Sequence, residues 1–149
     1  MTTHDIWSLD ARINETLAGL GLEQLTGDGQ NRSLPTLSPG QVGRIELAAT
    51  LLANPEVLIL DEPTNHLDQE AVKFLTELLL AHPGPLLMAS HDRKFVDAVA
   101  TVIYDLDIAP WQAIATATGT GALPGVYRCS GTYSDYLVAK QQARATHQQ

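Results

Sequence analysis

The chain has 149 residues, 44% of them apolar, enough for one domain with a real hydrophobic core. Its net charge is −8 and its nine basic residues do not cluster, which argues against this segment itself gripping RNA, DNA or an anionic membrane. Cys129 is the only cysteine, so an internal disulfide or cysteine-rich zinc site is excluded and a reducing cytoplasm is the natural setting; the longest apolar runs, such as "VLIL", are far too short to span a bilayer.

In chain order, Asp10 to Leu20 reads as a helix with Ile13, Leu17 and Leu20 on one stripe, followed by a glycine-rich loop to Thr36. Residues Pro39 to about Ala53 form a second helix, with Val42, Ile45, Ala49 and Leu52 expected inward, and Asn54-Pro55 ends it. "EVLILD" is a continuous apolar run that suits a strand buried on both faces. A helix from Gln69 to Ala81 follows, with Val72, Leu75 and Leu79 inward. Then come the strand "LLMAS", a short helix over Asp92–Ala100 and a third strand "TVIYDL". This alternation predicts an α/β fold with a parallel sheet and flanking helices. Residues 108–127 carry no charge and read as a long loop or weak hairpin. "VYRCS" reads as a short strand, and the chain closes in a polar helix capped by Thr132 or Ser134.

The candidate chemistry lies where strands leave the sheet. Asp61 and Glu62 follow four apolar residues, and two neighbouring charges inside a buried strand would be costly, so they belong at its C-terminal edge. Pro63 is expected to hold Glu62 extended. The second strand ends at Ser90-His91-Asp92, so a parallel pairing brings Asp61, Glu62 and His91 to one edge. There two carboxylates and an imidazole could hold a metal ion, orient a water and sense a phosphate. A lone acidic residue after a strand more often caps the next turn; the pairing of "VLILDEPTNHLD" with "SHD" favours the site. Asp68 is a good N-cap with Leu67 and Val72 as a staple across it. Ser38, Pro39 and Gln41 have the makings of a capping box with proline at the first helical position.

"LSPGQ", "VLILDEP", "TNHLD" and "SHD", in that order, resemble the ATP-binding cassette ATPases; "DEPTNHLD" and "GTYSDYLVAK" resemble the F-type branch, soluble twin-cassette proteins that act on ribosomes, some giving antibiotic resistance. The resemblance covers roughly residues 10 to 107 and 131 to 142. It implies ATP and Mg²⁺ as cofactors. Asp61 would hold Mg²⁺ through a water, Glu62 would be the general base, and His91 would contact the γ-phosphate. Asp68 would couple the two cassettes. Ser38, Gly40 and Gln41 would touch the γ-phosphate of nucleotide on a second cassette, in cis or trans, where a helix N-terminus favours an anion. It also implies a partial nucleotide-binding domain. Residues 1–54 would be a helical signature subdomain, 55–107 the core from the Walker B strand to the switch histidine, 108–130 a loop or hairpin, and 131–149 a helix leading to a linker.

Two departures stand out. Pro39 replaces the family's usual glycine and removes one N–H. The phosphate loop G-x-x-x-x-G-K-[ST] is missing, since Lys73, Lys94 and Lys140 follow Val72, Arg93 and Ala139 and none precedes Ser or Thr. Without that cradle the isolated chain is expected to turn over little or no ATP, and its sheet to expose an edge and an apolar face. A non-catalytic fragment, or a partner that offers "LSPGQ" to a complete cassette in trans, fits the same residues.

Overall fold

The structure is a computed structural model that describes residues 3–26, 37–107, 109, 111–112 and 125–147. The chain divides into two compact units, Met1–His91 and Asp92–Gln149.

In the first unit α1 spans Thr3–Gly19, a longer helix than the apolar stripe alone marks. Its end explains itself. The N–H of Leu22 bonds Leu17 O at 2.8 Å and that of Gly21 bonds Ala18 O at 2.9 Å, with Gly21 at φ 71°. This paired 6→1 and 5→2 pattern needs a left-handed residue, which glycine adopts without a Cβ penalty, and it closes over an apolar contact between the residues flanking it. Here those residues are Leu17 and Leu22, both in the core. A 3₁₀ turn at Glu23–Leu25 interrupts the expected loop and buries Leu25.

Helix α2, Pro39–Leu52, starts on the expected capping box. Gln41 N donates to Ser38 Oγ at 3.2 Å, and Ser38 N donates to Gln41 Oε1 at 2.9 Å. Its inward face is not the expected one: Ala49 is exposed, while Ala48 is buried with Ile45, Leu47 and Leu51 packed on the same cluster as Leu17, Leu20, Leu22 and Leu25. The expected stripe had the right period but was rotated, because the docking helix sets which apolar residues turn inward. Asn54 ends α2 in the left-handed region at φ 45°, a conformation asparagine tolerates.

Strands β1, Leu58–Asp61, and β2, Leu86–Ala89, pair in parallel with Asp61 opposite Ala89, joined through α3, Gln69–Ala81. Helix α3 has its expected bounds. Asp68 Oδ1 accepts from Ala71 N at 2.8 Å, and Ala71, Leu75 and Leu79 are its buried residues, with Val72 only half-buried. The expectation of a strand buried on both faces fails. Leu58 and Leu60 are buried, but Ile59 is 71% and Leu87 58% exposed, because among the described residues only one face of this two-stranded sheet is covered.

The second unit corrects the expected role of "TVIYDL". Its strand β3, Val102–Asp105, does not extend the parallel sheet but pairs antiparallel with β4, Tyr127–Ser130. Apolar content alone cannot choose a strand's partner; here a polar cluster does. Asp105 ends β3 and accepts at Oδ2 from Lys140 Nζ (2.8 Å), Tyr136 Oη (2.6 Å) and Trp111 Nε1 (3.0 Å). Trp111 is buried and stacks on Tyr127 of β4, ring centroids 3.6 Å apart. Trp111 falls in the segment expected to be a loop or hairpin; most of that segment lies outside the described residues.

Helix α4, Arg93–Val99, is capped by Asp92, whose Oδ1 accepts from Phe95 N, and buries Phe95. Helix α5, Tyr133–His147, begins at Thr132, whose N–H bonds Asp135 Oδ2 at 2.8 Å while Asp135 N bonds Thr132 Oγ1 at 3.3 Å. Asp97 of α4 accepts from Ser134 N at 2.6 Å, and that backbone bond holds its carboxyl below the ordinary range. Gly131, just before α5, sits at φ 116°, and a Cβ there would lie 2.5 Å from Asp135 Oδ2, so only glycine fits.

Candidate functional site at the C-terminal edge of the parallel sheet

All the sequence-predicted site residues lie in the first unit, around the end of β1. The ladder continues one residue past the strand, with Glu62 N donating to Ala89 O at 2.8 Å. The chain then turns sharply, since Asn65 N bonds Glu62 O at 3.1 Å and Leu67 N bonds Thr64 O at 3.2 Å. Glu62 is not extended, as the following proline led one to expect, but left-handed at φ 47°. The ladder bond on its N–H and the turn bond on its carbonyl hold it there. Non-glycine residues in this region cost on the order of 1–3 kcal/mol and cluster at functional sites. His66, in the second turn, is left-handed as well, at φ 62°.

Parallel pairing brings Glu62 and His91 together. Glu62 Oε1 meets His91 Nδ1 in a short contact, and Glu62 Oε2 accepts from the backbone N–H of His91 at 3.2 Å. The Glu62 side chain is 23% exposed, while the His91 side chain is 96% exposed and free to meet a ligand from solvent. If Nδ1–H donates to Glu62, a neutral ring offers only an acceptor at Nε2; donating there to an anion requires the imidazolium.

Asp61 is not part of this pair. Alternation along β1 puts it on the exposed face with Ile59. The three residues therefore do not form one metal-binding group, and no cluster of three or more such ligands occurs among the described residues. The expected edge site thus consists of a Glu62–His91 pair and a separate carboxylate, Asp61. An exposed carboxylate at a strand end still suits Mg²⁺, which keeps several waters and takes one or two carboxylates plus substrate phosphates.

Ser38, Gly40 and Gln41 form the first turn of α2, which borders an open groove of about 400 Å³ whose lining includes Pro39, Arg44, Asp61, Glu62 and His66. The capping box uses Ser38 Oγ and Gln41 Oε1 only as acceptors, so the Ser38 hydroxyl and the Gln41 amide nitrogen keep donors to give. A Cβ on Gly40 would lie 3.4 Å from His66 Cβ, so the signature turn and the "TNH" turn are in contact. Asp68 caps α3 at the end of that turn. These residues offer an exposed carboxylate, a held carboxylate and spare hydrogen-bond donors at a helix start, but no lysine and no glycine-rich loop to cradle phosphates.

Sequence reasoning missed Arg44, which reaches three carbonyls and lines the same groove. Its signal was its place one turn beyond Gly40.

The family model described as ABC transporter matches residues 1–65. The chain is 40% identical over 145 residues to the tylosin resistance ATP-binding protein TlrC of Streptomyces fradiae, covering 97% of this chain and 23% of that protein. It is 39% identical to the ATP-binding protein Uup of Escherichia coli, over 94% of this chain and 19% of Uup. It is 35% identical to the energy-dependent translational throttle protein EttA of Mycobacterium tuberculosis, over 95% of this chain and 22% of EttA. The chain belongs to the ATP-binding cassette family. These relatives are of the F-type branch that "DEPTNHLD" resembles, and the chain spans about a fifth of their length. No helix among the described residues is long and apolar enough to cross a membrane.

Proposed function

We propose that the chain is the segment from signature to switch histidine of an F-type ATP-binding cassette, working in a cytoplasmic ATPase that acts on the ribosome. In this role Glu62 is the general base for the attacking water and His91 meets the γ-phosphate. Asp61 would hold Mg²⁺ through a water, and Asp68 would couple the two cassettes. Ser38, Gly40 and Gln41 face the γ-phosphate of nucleotide held by a second cassette. The observation that carries it is the two-point hold of Glu62 by His91 at the sheet edge, which aims a carboxylate and an imidazole at one place. Bound Mg²⁺ would neutralise phosphate charge; the chain's own residues position the base and the sensor. Because His91 spends Nδ1 on Glu62, its contact with phosphate needs the second ring proton.

The isolated chain is expected to hydrolyse little or no ATP. The test joins it to a segment that carries a phosphate loop and measures Mg²⁺-dependent turnover with and without Glu62→Gln. Turnover that Glu62→Gln leaves intact rejects the base, and robust turnover by the chain alone rejects the need for the cradle.

One observation favours a second role, as a partner in trans: the signature turn is fully capped within this chain. Added to a complete F-type relative, the chain would then change that protein's ATPase rate, and Ser38→Ala would weaken the change. No change at saturating concentration removes this role.

A further inference from the structure

We infer that Arg44 is the positioning residue of the signature turn, a proposal that rests on the phosphate-facing role given above to Ser38, Gly40 and Gln41. Its guanidinium joins two places. Nη1 donates to Gly21 O at 3.0 Å and Leu20 O at 3.3 Å, and Nε donates to Gly40 O at 3.3 Å. The first two acceptors are fixed, because Leu20 and Leu22 on either side are fully buried and Gly21 closes the end of α1. They also lie at the negative end of the α1 dipole, where a cation is favoured. The third acceptor belongs to the peptide whose nitrogen is Gln41 N, the group that closes the capping box on Ser38. Arg44 thus ties the first turn of α2 to the buried end of α1.

The planar fork of arginine is what allows this. Two of its nitrogens reach acceptors on different elements at once, whereas lysine brings one ammonium that must choose between them. The three acceptors of Arg44, Gly40 O, Leu20 O and Gly21 O, are all backbone carbonyls, so its role is to place backbone. Fixing Gly40 and Gln41 fixes the directions of the Ser38 hydroxyl and the Gln41 amide nitrogen, the donors left over by the capping box.

Amide hydrogen exchange on the whole chain decides it. Arg44→Met is expected to speed exchange at Gln41 and Val42 about tenfold while Leu75 and Leu79 of α3 change less than about twofold. Arg44→Lys is expected to recover less than half of the loss. Unchanged exchange in Arg44→Met overturns the proposal, and so does full recovery by lysine, which would mean that charge alone suffices. If Arg44→Met does not fold, Arg44→Gln serves, with the same outcomes read. In the ATPase assay with a complete relative described above, Arg44→Met is expected to lower the maximal change in rate with the half-maximal concentration unchanged. If Ser38→Ala has no effect in that assay while the exchange pattern is as expected, the phosphate role fails and the positioning of the turn by Arg44 stands, so the two fail separately.

Discussion

Lys140 Nζ lies 2.8 Å from Asp105 Oδ2, and the Tyr136 hydroxyl bonds both, 2.6 Å from each. With Trp111 Nε1 on the same carboxylate oxygen, one side chain at the end of β3 gathers a helix and an indole six residues further on. Truncating it strands an ammonium, a phenol and an indole N–H together. Asp105→Ala is therefore expected to cost about 2–4 kcal/mol, and Lys140→Met less, because the carboxylate keeps its other donors. Urea unfolding of both variants measures this; equal, small losses would reject the cluster as an anchor.

The same cluster sets a pH dependence. Burial pushes the Asp105 carboxyl up, but the bonds from Lys140, Tyr136, Trp111 and Asp107 N–H outweigh it and hold the group well below the usual carboxylate range. A depressed carboxyl contributes stability above its unfolded value, near 4, and that contribution drains as pH falls towards the folded value. Burial likewise pushes Lys140 down while Asp105 and Tyr136 raise it further, to a net upward shift. Its contribution is present below about pH 10 and is lost as pH rises through the shifted value. The gap in unfolding free energy between wild type and Asp105→Asn should thus shrink as pH drops from 6 to 2; parallel curves would contradict the arrangement.

Two helix caps can be compared directly. Ser38 and Asp68 each accept from the third helical N–H, at 3.2 and 2.8 Å. Replacing either by alanine should cost about 0.5–2 kcal/mol. The shorter, charge-assisted bond of Asp68 predicts the larger loss. Thermal or urea unfolding ranks them.

The open face of the parallel sheet predicts association. Ile59 and Leu87 stand exposed on neighbouring strands, and Val57 is 54% exposed just before β1. The purified chain should self-associate in light scattering, and Ile59→Lys with Leu87→Lys should reduce it. A monomeric wild-type chain with cooperative unfolding would show that this face is tolerated by water.

What the sequence disclosed was local or periodic. Ser38 to Gln41 announced a capping box because cap chemistry is decided within four residues, and α3 was bounded by Asp68 at one end and His82-Pro83 at the other. The Glu62–His91 pairing was legible because strand ends in a parallel sheet share an edge. Three things were not. The partner of β3 depends on Asp105 meeting Tyr136 and Lys140 more than thirty residues away, and no periodicity carries that distance. The left-handed Glu62 depends on bonds made on both sides of one residue. The inward face of α2 depends on α1.

Of the two bonds that hold Glu62, one comes from the His91 ring and the other from its main-chain N–H. Any residue but proline at position 91 keeps the second. Loss of the imidazole would therefore remove a ring contact while leaving the carboxylate half-anchored, so the aim of Glu62 is partly inherited from strand pairing.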